Sequence, residues 1–464
     1  MDHKSTSNPN RKGLFGRSGF RYVQTFLLFF GITAALFVRA NVGIAVVAIT
    51  DVNSVDTYEW TFDEKQLILS TFYWGYIVTQ IPGGYAAQKL GSKVVLLLSI
   101  LISSLLSLLT PVSIVYGGWK AYCVIRILQG LFQGVMLPSI YDHLAKWSPK
   151  EERNLQGTLA LSGYSCGLVF GMGISGVIAA STMKWPGIFY MSGAIGILWS
   201  ILWVTFGASS PSTSRFITEK EKKFIESSQK EDNQHSVERK QSIPWRKIFT
   251  SPPFLALLFV SCCQSFGTFI TSVEIPLYFD AILKLDIENN ALFSSLSQVF
   301  TWGMSYVFLV IAQYIMKQEI LSLTALRKSY NLIAFVVPML VFISLGFLDS
   351  NNTAIAVTLI IVIAGISASH EIAYWLNIVD LSPNYTAILF SIANVAATLV
   401  DLISPLVVGF IISEQEDSRE RWQIVFGISA IIVPVGGMIF LFFGKTDTQP
   451  WNSTPKNDND LEIS

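Results

Sequence analysis

Twelve apolar stretches recur along this chain, each close to the roughly 20 residues that an α-helix needs to cross a hydrocarbon core of about 30 Å. They centre near residues 36, 78, 105, 132, 168, 196, 267, 303, 338, 366, 398 and 432. Backbone polar groups in lipid must be bonded within their own element, which leaves helices and closed barrels, and stretches of this length select helices. The expectation is an all-α membrane protein with twelve transmembrane helices in two pseudo-symmetric six-helix bundles. Its expected parts are a cytoplasmic N-terminal tail (1–21), a first bundle (22–206), a cytoplasmic linker (207–252), a second bundle (253–443) and a cytoplasmic C-terminal tail (444–464).

Composition agrees: 51% hydrophobic and 14% charged residues are too apolar for a soluble domain, which runs nearer 25% charged. The 32 Lys plus Arg balance 32 Asp plus Glu, so nothing points to nucleic acid as a partner. Cys123, Cys166, Cys262 and Cys263 all fall inside apolar stretches, which argues against a disulfide framework or a zinc site. No metal and no cofactor is expected.

Charge placement sets an orientation. The first stretch follows about twenty polar residues, carries Arg39 and shows no cleavage site, so it reads as a retained span and not a signal peptide. Alternating the loops puts 24 Lys/Arg on the face of the termini and linker and 6 on the other, which places both termini and the linker in the cytoplasm. Asn351 then lies in an outer loop as a glycosylation candidate, whereas the sequons at Asn384 and Asn452 fall inside. Thr218 to Glu221 forms a capping-box pattern that predicts a short helix through Gln229, followed by a flexible segment from Lys230 to Gln241.

Ionisable groups in the membrane are costly and therefore carry the most weight. Arg39 lies about 16 residues into the first span and Arg126 about 8 into the oppositely directed fourth, so at 1.5 Å per residue both reach the outer half of the bilayer. No carboxylate sits mid-span in the first six stretches to neutralise them. Gln129 and Gln133 follow Arg126 at helical spacing and share its face. An arginine pair of this kind suits an anion, because a guanidinium stays protonated and grips carboxylate or phosphate bidentately. The alternative is that each arginine ties helix-end carbonyls or an acid of the other half.

His370 and Glu371 in the tenth span and Asp401 in the eleventh are candidates for coupling to an ion, or else fixed struts. Glu274, two residues before Pro276, is expected to be solvated at the mouth, and Asp142 and His143 sit near the inner end of the fourth span. Phe72, Tyr73 and Trp74 read as helix packing before they read as a ligand cage. Gly163, Gly167 and Gly171 recur every fourth residue in the fifth span, with Gly173 and Gly176 beyond, as a gating face or simply a tight packing face.

The loop after the second span runs from Gly84 through Gln88, Lys89 and Gly91 to Lys93, and resembles the loop signature of the major facilitator superfamily, with Gln88 for the usual acid and Ser92 for the usual base. The stretch Phe72–Tyr85, Arg126 to Gly130 with Gly134 and Pro138, Trp147–Pro149 with Glu152 and Arg153, Pro244–Lys247, Pro383 with Tyr385, and Gln449–Trp451 together resemble its anion-transporter branch. That branch includes sialin, the vesicular glutamate transporters and the type I sodium-phosphate cotransporters, and the similarity runs from about residue 31 to 451.

The resemblance implies the major facilitator fold and secondary active transport of a small organic or inorganic anion by alternating access. Coupling would be to a sodium, proton or voltage gradient. It implies a monomer, bounded by membrane lipid, in the plasma membrane or a lysosomal or vesicular one. Arg39 and Arg126 match arginines near the substrate path. Gln133 stands where family members carry an acid, Gln264 where vesicular glutamate transporters carry a base, and Leu69 and Tyr141 where histidines occur. These departures favour sodium-coupled phosphate-like or organic-anion transport over proton symport, with Gln264 facing substrate and any coupling relocated to His370, Glu371 and Asp401. Two other classes stand against it: a transport-inactive sensor or scaffold that keeps the fold, and a membrane enzyme using His370 and Glu371, which lack a nucleophile or phosphate loop beside them.

Overall fold

The computed structural model describes residues 19–51, 57–149, 152–236, 243–348, 350–382, 385–412 and 415–452, and among them no strand forms. The first half contains α1 (Phe20–Thr50), α2 (Phe62–Leu90), α3 (Ser92–Gln133), α4 (Met136–Trp147), α5 (Arg153–Leu161), α6 (Gly163–Ala180) and α7 (Lys184–Phe206). Next come α8 (Glu219–Ser236) and α9 (Trp245–Phe249). The second half contains α10 (Pro252–Phe269), α11 (Ile275–Ala281), α12 (Ile287–Lys317), α13 (Leu323–Leu345), α14 (Thr353–Ser367), α15 (Asn377–Leu381), α16 (Thr386–Ile412) and α17 (Arg419–Phe443).

Among the described residues, 10 helical runs are long and apolar enough to cross a membrane. One of them, Ser92–Trp147, is two crossings: Gly118 adopts φ 59° and ψ −153°, and the chain doubles back there, so that Gln129 Nε2 donates to the Ser103 carbonyl at 3.5 Å. A positive φ is cheap only for glycine. The second span, α2, is more polar than the rest, opens on the Thr61–Glu64 capping box and ends at Gly91, with φ 84°. The described residues therefore make twelve crossings.

Two crossings of the second half are not uniformly α-helical. A π-helical segment, Ile270–Glu274, joins α10 to α11, and a second, Glu371–Trp375, precedes α15. Such wider turns favour functional positions in helices.

The linker side of the bundle is fixed by α8. Thr218 Oγ1 accepts from the Glu221 amide at 3.3 Å, as the capping pattern predicts, but the helix runs on to Ser236. The expected flexible segment thus begins as helix, and its remainder, 237–242, lies outside the described residues, as do 1–18, 453–464, Pro383 and Asn384. Arg21 joins this helix to the bundle, with Nε 2.7 Å from Glu152 Oε2 and Nη1 3.0 Å from Glu221 Oε1.

At the opposite end the two halves meet closely. Gly176 of α6 lies so near α12 that a Cβ there would stand 1.9 Å from the Ala291 Cβ. Lys65 Nζ pairs with Glu416 Oε2 at 2.7 Å, and Ser70 Oγ donates to the Leu402 carbonyl at 2.6 Å. A hydrophobic core including Phe72, Trp185, Phe279, Phe342 and Trp422 spans both halves. On the linker side Tyr141 and Phe390 approach with ring centroids 6.2 Å apart.

Candidate functional site

Helices α2 and α3 touch backbone to backbone, since a Cβ on Gly130 would lie 1.9 Å from the Phe72 carbonyl oxygen. That approach sets the fully buried Phe72 ring in the interior, facing α1 and the fourth crossing. The Arg39 Cζ lies 5.1 Å from the Phe72 centroid, 5.1 Å from that of Tyr73 and 5.3 Å from that of Tyr76. Arg126 Cζ lies 4.7 Å from the same Phe72 ring. A guanidinium at this range is attracted by the ring quadrupole, which offsets part of its lost hydration.

Arg126 is 2% exposed; its Nη1 donates to Gln129 Oε1 at 3.2 Å, and its Nε has no partner. Gln133 Nε2 donates to the Ala35 carbonyl of α1 at 3.3 Å, one turn before Arg39. Among the described residues no carboxylate forms an ion pair with either arginine. Asp401 of α16 lies in the field of Arg39, and its Oδ1 accepts from Ser265 Oγ at 2.5 Å. Gln264, beside Ser265 on α10, is buried.

These placements separate the sequence candidates. Arg39, Arg126, Gln129 and Gln133 are brought together, with Asp401 entering from the other half. His370 and Glu371 stand elsewhere, at the start of the second π-helical segment. The His370 ring stacks on Tyr374 at 5.6 Å and its Nδ1 bonds the Ser367 carbonyl, while Glu371 is exposed and joined by no contact to Asp401. Asn351 is exposed in the 3-10 turn Ser350–Asn352.

The glycines sort by partner. A Cβ on Gly163 would stand 2.3 Å from the Phe29 oxygen, on Gly167 2.5 Å from the Leu36 Cβ, and on Gly171 2.9 Å from the Ala40 Cβ, so this stripe packs on α1 within the same half. Gly173 and Gly176 turn instead toward α12. Gly84 lies in α2, and Gly91 ends it.

One expectation is corrected. Glu274 is not solvated: it is fully buried, with Oε2 accepting from Gln66 Nε2 at 2.9 Å, in the first π-helical segment at the seam between halves. The aromatic run packs as expected, with Phe72 and Tyr73 in the core, where they also lie against a guanidinium, while Trp74 is exposed and donates from Nε1 to Ser70 Oγ at 2.8 Å. Tyr76, Ser265 and Gln66 escaped the sequence reading. Only the spacing of Tyr76, one turn after Phe72 and Tyr73, offered a signal. Near the linker, Asp142 pairs with Lys146 at 2.7 Å and His143 is buried against Trp147 and Trp203.

The sequence pattern of the major facilitator superfamily matches residues 28–405. A putative inorganic phosphate cotransporter of Drosophila melanogaster is 32% identical, over 94% of this chain and 87% of that protein. Vesicular glutamate transporter 2 of Homo sapiens is 30% identical, over 93% of this chain and 75% of the other. Among solved structures, a bacterial homolog of the human lysosomal transporter Spinster, inward-facing and unoccupied, superposes with a TM-score of 0.74 at 13% identity, covering 94% of this chain and all of that one.

Proposed function

The chain belongs to the major facilitator superfamily, in its anion-transporter branch, and from that premise we propose that it carries a small anion on Arg39 and Arg126. It is a multi-pass membrane transporter and not an enzyme, a secondary active carrier working by alternating access of its two halves. The observation that carries the anion assignment is the pair of guanidiniums on one buried ring with no ion-paired carboxylate among the described residues. The free Nε of Arg126 is a donor waiting for an acceptor, and a buried donor without one costs about 1–3 kcal/mol. An oxyanion between the arginines supplies that acceptor and the missing negative charge.

Inorganic phosphate is the first substrate to test. The cotransporter relative bears that name, and Gln133 and Gln264 are neutral where the glutamate carriers of the branch are expected to be charged. Gln129, Gln133 and Gln264 complete the polar lining. Asp401, held by Ser265 within the field of Arg39, is the coupling candidate, with sodium or a proton as its ion. His370 and Glu371 stand apart from the arginines and fit that role less well. The excess of Lys and Arg around the linker supports cytoplasmic termini, in a plasma or vesicular membrane, and the protein is read as a monomer.

The test is uptake of labelled phosphate, sialate, glutamate, aspartate and urate into proteoliposomes under imposed sodium, proton and potential gradients. Saturable uptake of one anion, lost in Arg126→Gln, is the expected result. Folded protein that binds an anion yet moves none under any gradient would instead be a sensor.

A further inference from the structure

Glu274 closes the π-helical segment Ile270–Glu274 and faces Gln66 of α2 across the seam between the halves, at the end away from the linker. Glu274 is 0% exposed and Gln66 1%. One hydrogen bond joins them, from Gln66 Nε2 to Glu274 Oε2, and the remaining oxygen of each group, Glu274 Oε1 and Gln66 Oε1, is buried with no donor. Both orphans are acceptors, so neither can serve the other while the carboxyl is ionised.

Among the described residues no neighbouring element supplies a cation to Glu274. On α2, Lys65 is taken by Glu416, and Asp63 borders Gly409 of α16 together with Gln66. On α1, Arg39 sits on its three rings, Asp51 caps the helix about two turns beyond Gly43, the residue that borders Val273, and Arg21 is on the linker side. The segment α14 has no titratable side chain, and α12 brings only the exposed Glu288 near its start. Within the seventh span, Asp280 lies in the field of Lys65 and Lys284, Tyr278 packs on Trp422, and Cys262 and Cys263 lie further back on α10. On α16, Asp401 is bound to Ser265.

A buried carboxylate without a cation and with a single donor is costly in its charged form. One proton on Glu274 Oε1 removes the charge and supplies the donor that the orphan Gln66 oxygen lacks. We propose that Glu274 and Gln66 form a proton-binding site in the seam, and that the proton held there fastens the two halves together at the end away from the linker. When the proton leaves, a charge and two orphan acceptors remain in the seam, and it parts to admit water. This deepens the transport reading and rests on it, since it names where a proton is exchanged during the cycle.

The experiment measures the seam directly, with no substrate present. Nitroxide labels are placed by Glu59→Cys and Glu288→Cys, both exposed and on opposite halves, in full-length protein whose Cys123, Cys166, Cys262 and Cys263 are replaced by alanine. The label-to-label distance is followed from mildly acidic to mildly alkaline buffer by electron–electron resonance. The expected result is a shift from a short to a longer distance with the steepness of a single proton, and Glu274→Gln held at the short distance throughout. A parent protein whose distance ignores pH, a Glu274→Gln protein that keeps the transition, or one fixed at the longer distance overturns the proposal. If Glu274→Gln does not fold, Glu274→Asp decides, because its shorter arm must move the midpoint and an unmoved midpoint overturns the proposal. Anion uptake is scored separately. A pH-driven transition without uptake sinks the transport reading alone, and uptake without a transition sinks the proton site alone.

Discussion

Arg39 and Arg126 share the ring of Phe72, with guanidinium carbons 5.1 and 4.7 Å from its centroid. Two like charges held against one aromatic ring repel each other, and the ring offsets that repulsion only in part. An anion between them lowers the energy of both at once.

Phe72→Leu removes the platform and keeps an apolar side chain of similar bulk. The two cation–π contacts are worth about 1–2 kcal/mol each when desolvated. Their loss lets the guanidiniums drift, and anion uptake should show a KM raised by about tenfold or more, which is 1.4 kcal/mol. Phe72→Ala adds a cavity at a fully buried site and should cost about 3–5 kcal/mol of stability. Uptake kinetics beside thermal melting separates the two effects.

Arg126→Lys keeps the charge but not the planar fork, and it withdraws the donor to Gln129 Oε1. Uptake at limiting anion concentration should fall by at least about tenfold, as for loss of a charge-assisted hydrogen bond of roughly 1.5–3 kcal/mol. Wild-type uptake in Arg126→Lys would mean that the residue contributes charge alone.

Gly167→Val should unfold the first half at lower temperature. Its Cβ would press on the Leu36 Cβ at 2.5 Å and the Thr33 carbonyl at 2.8 Å, and overpacking of this kind costs about 1–3 kcal/mol or more. Gly157→Ala in α5 is the control, since nothing lies within 4 Å of the added carbon, and it should be neutral or stabilising by up to about 1 kcal/mol. Melting temperatures of the two variants test the contrast.

The linker helix is held through Arg21, and this contact has a defined pH dependence. Burial raises the Glu152 carboxyl, but the hydrogen bond and charge of Arg21 outweigh it and hold the group below the ordinary carboxylate value. A depressed folded value means that the stabilisation is present above the unfolded pKa and is lost as pH falls through the folded one. Amide exchange in α8 should therefore quicken on acidification below about pH 4. In Glu152→Gln it should be faster already at neutral pH and respond less to acid.

The crossings were legible because no other element satisfies the backbone over twenty apolar residues. The depth of Arg39 and Arg126 was legible for the same reason, a charge inside such a stretch being hard to overlook. Phe72 and Tyr73 were not recognised, because an aromatic side chain packs as readily on a neighbouring helix as beneath a guanidinium, and only the approach of α2 to α3 at Gly130 decides. Glu274 was misplaced since distance along a helix reports depth but not the face, and a π-helical turn just before it changes that face. Asp401 was grouped with His370 and Glu371 on composition alone, while the bundle sets it toward Arg39 and leaves them apart. The doubling back at Gly118 was expected from span length, but its placement at a glycine with positive φ appears only in the backbone.

The segments Ile270–Glu274 and Glu371–Trp375 carry a consequence for heredity. An α-helix advances about 100° per residue, and a turn widened by one residue takes up that extra 100° locally, changing the faces of the side chains within it. In a gene such a turn is equivalent to one extra codon within a helix. Losing that codon would restore regular winding, leave the span beyond the turn in register and turn Glu274, inside it, away from Gln66. Selection can therefore exchange residues in these turns far more freely than it can shorten them, and gaps in the coding sequence should be rarer here than in the connecting loops.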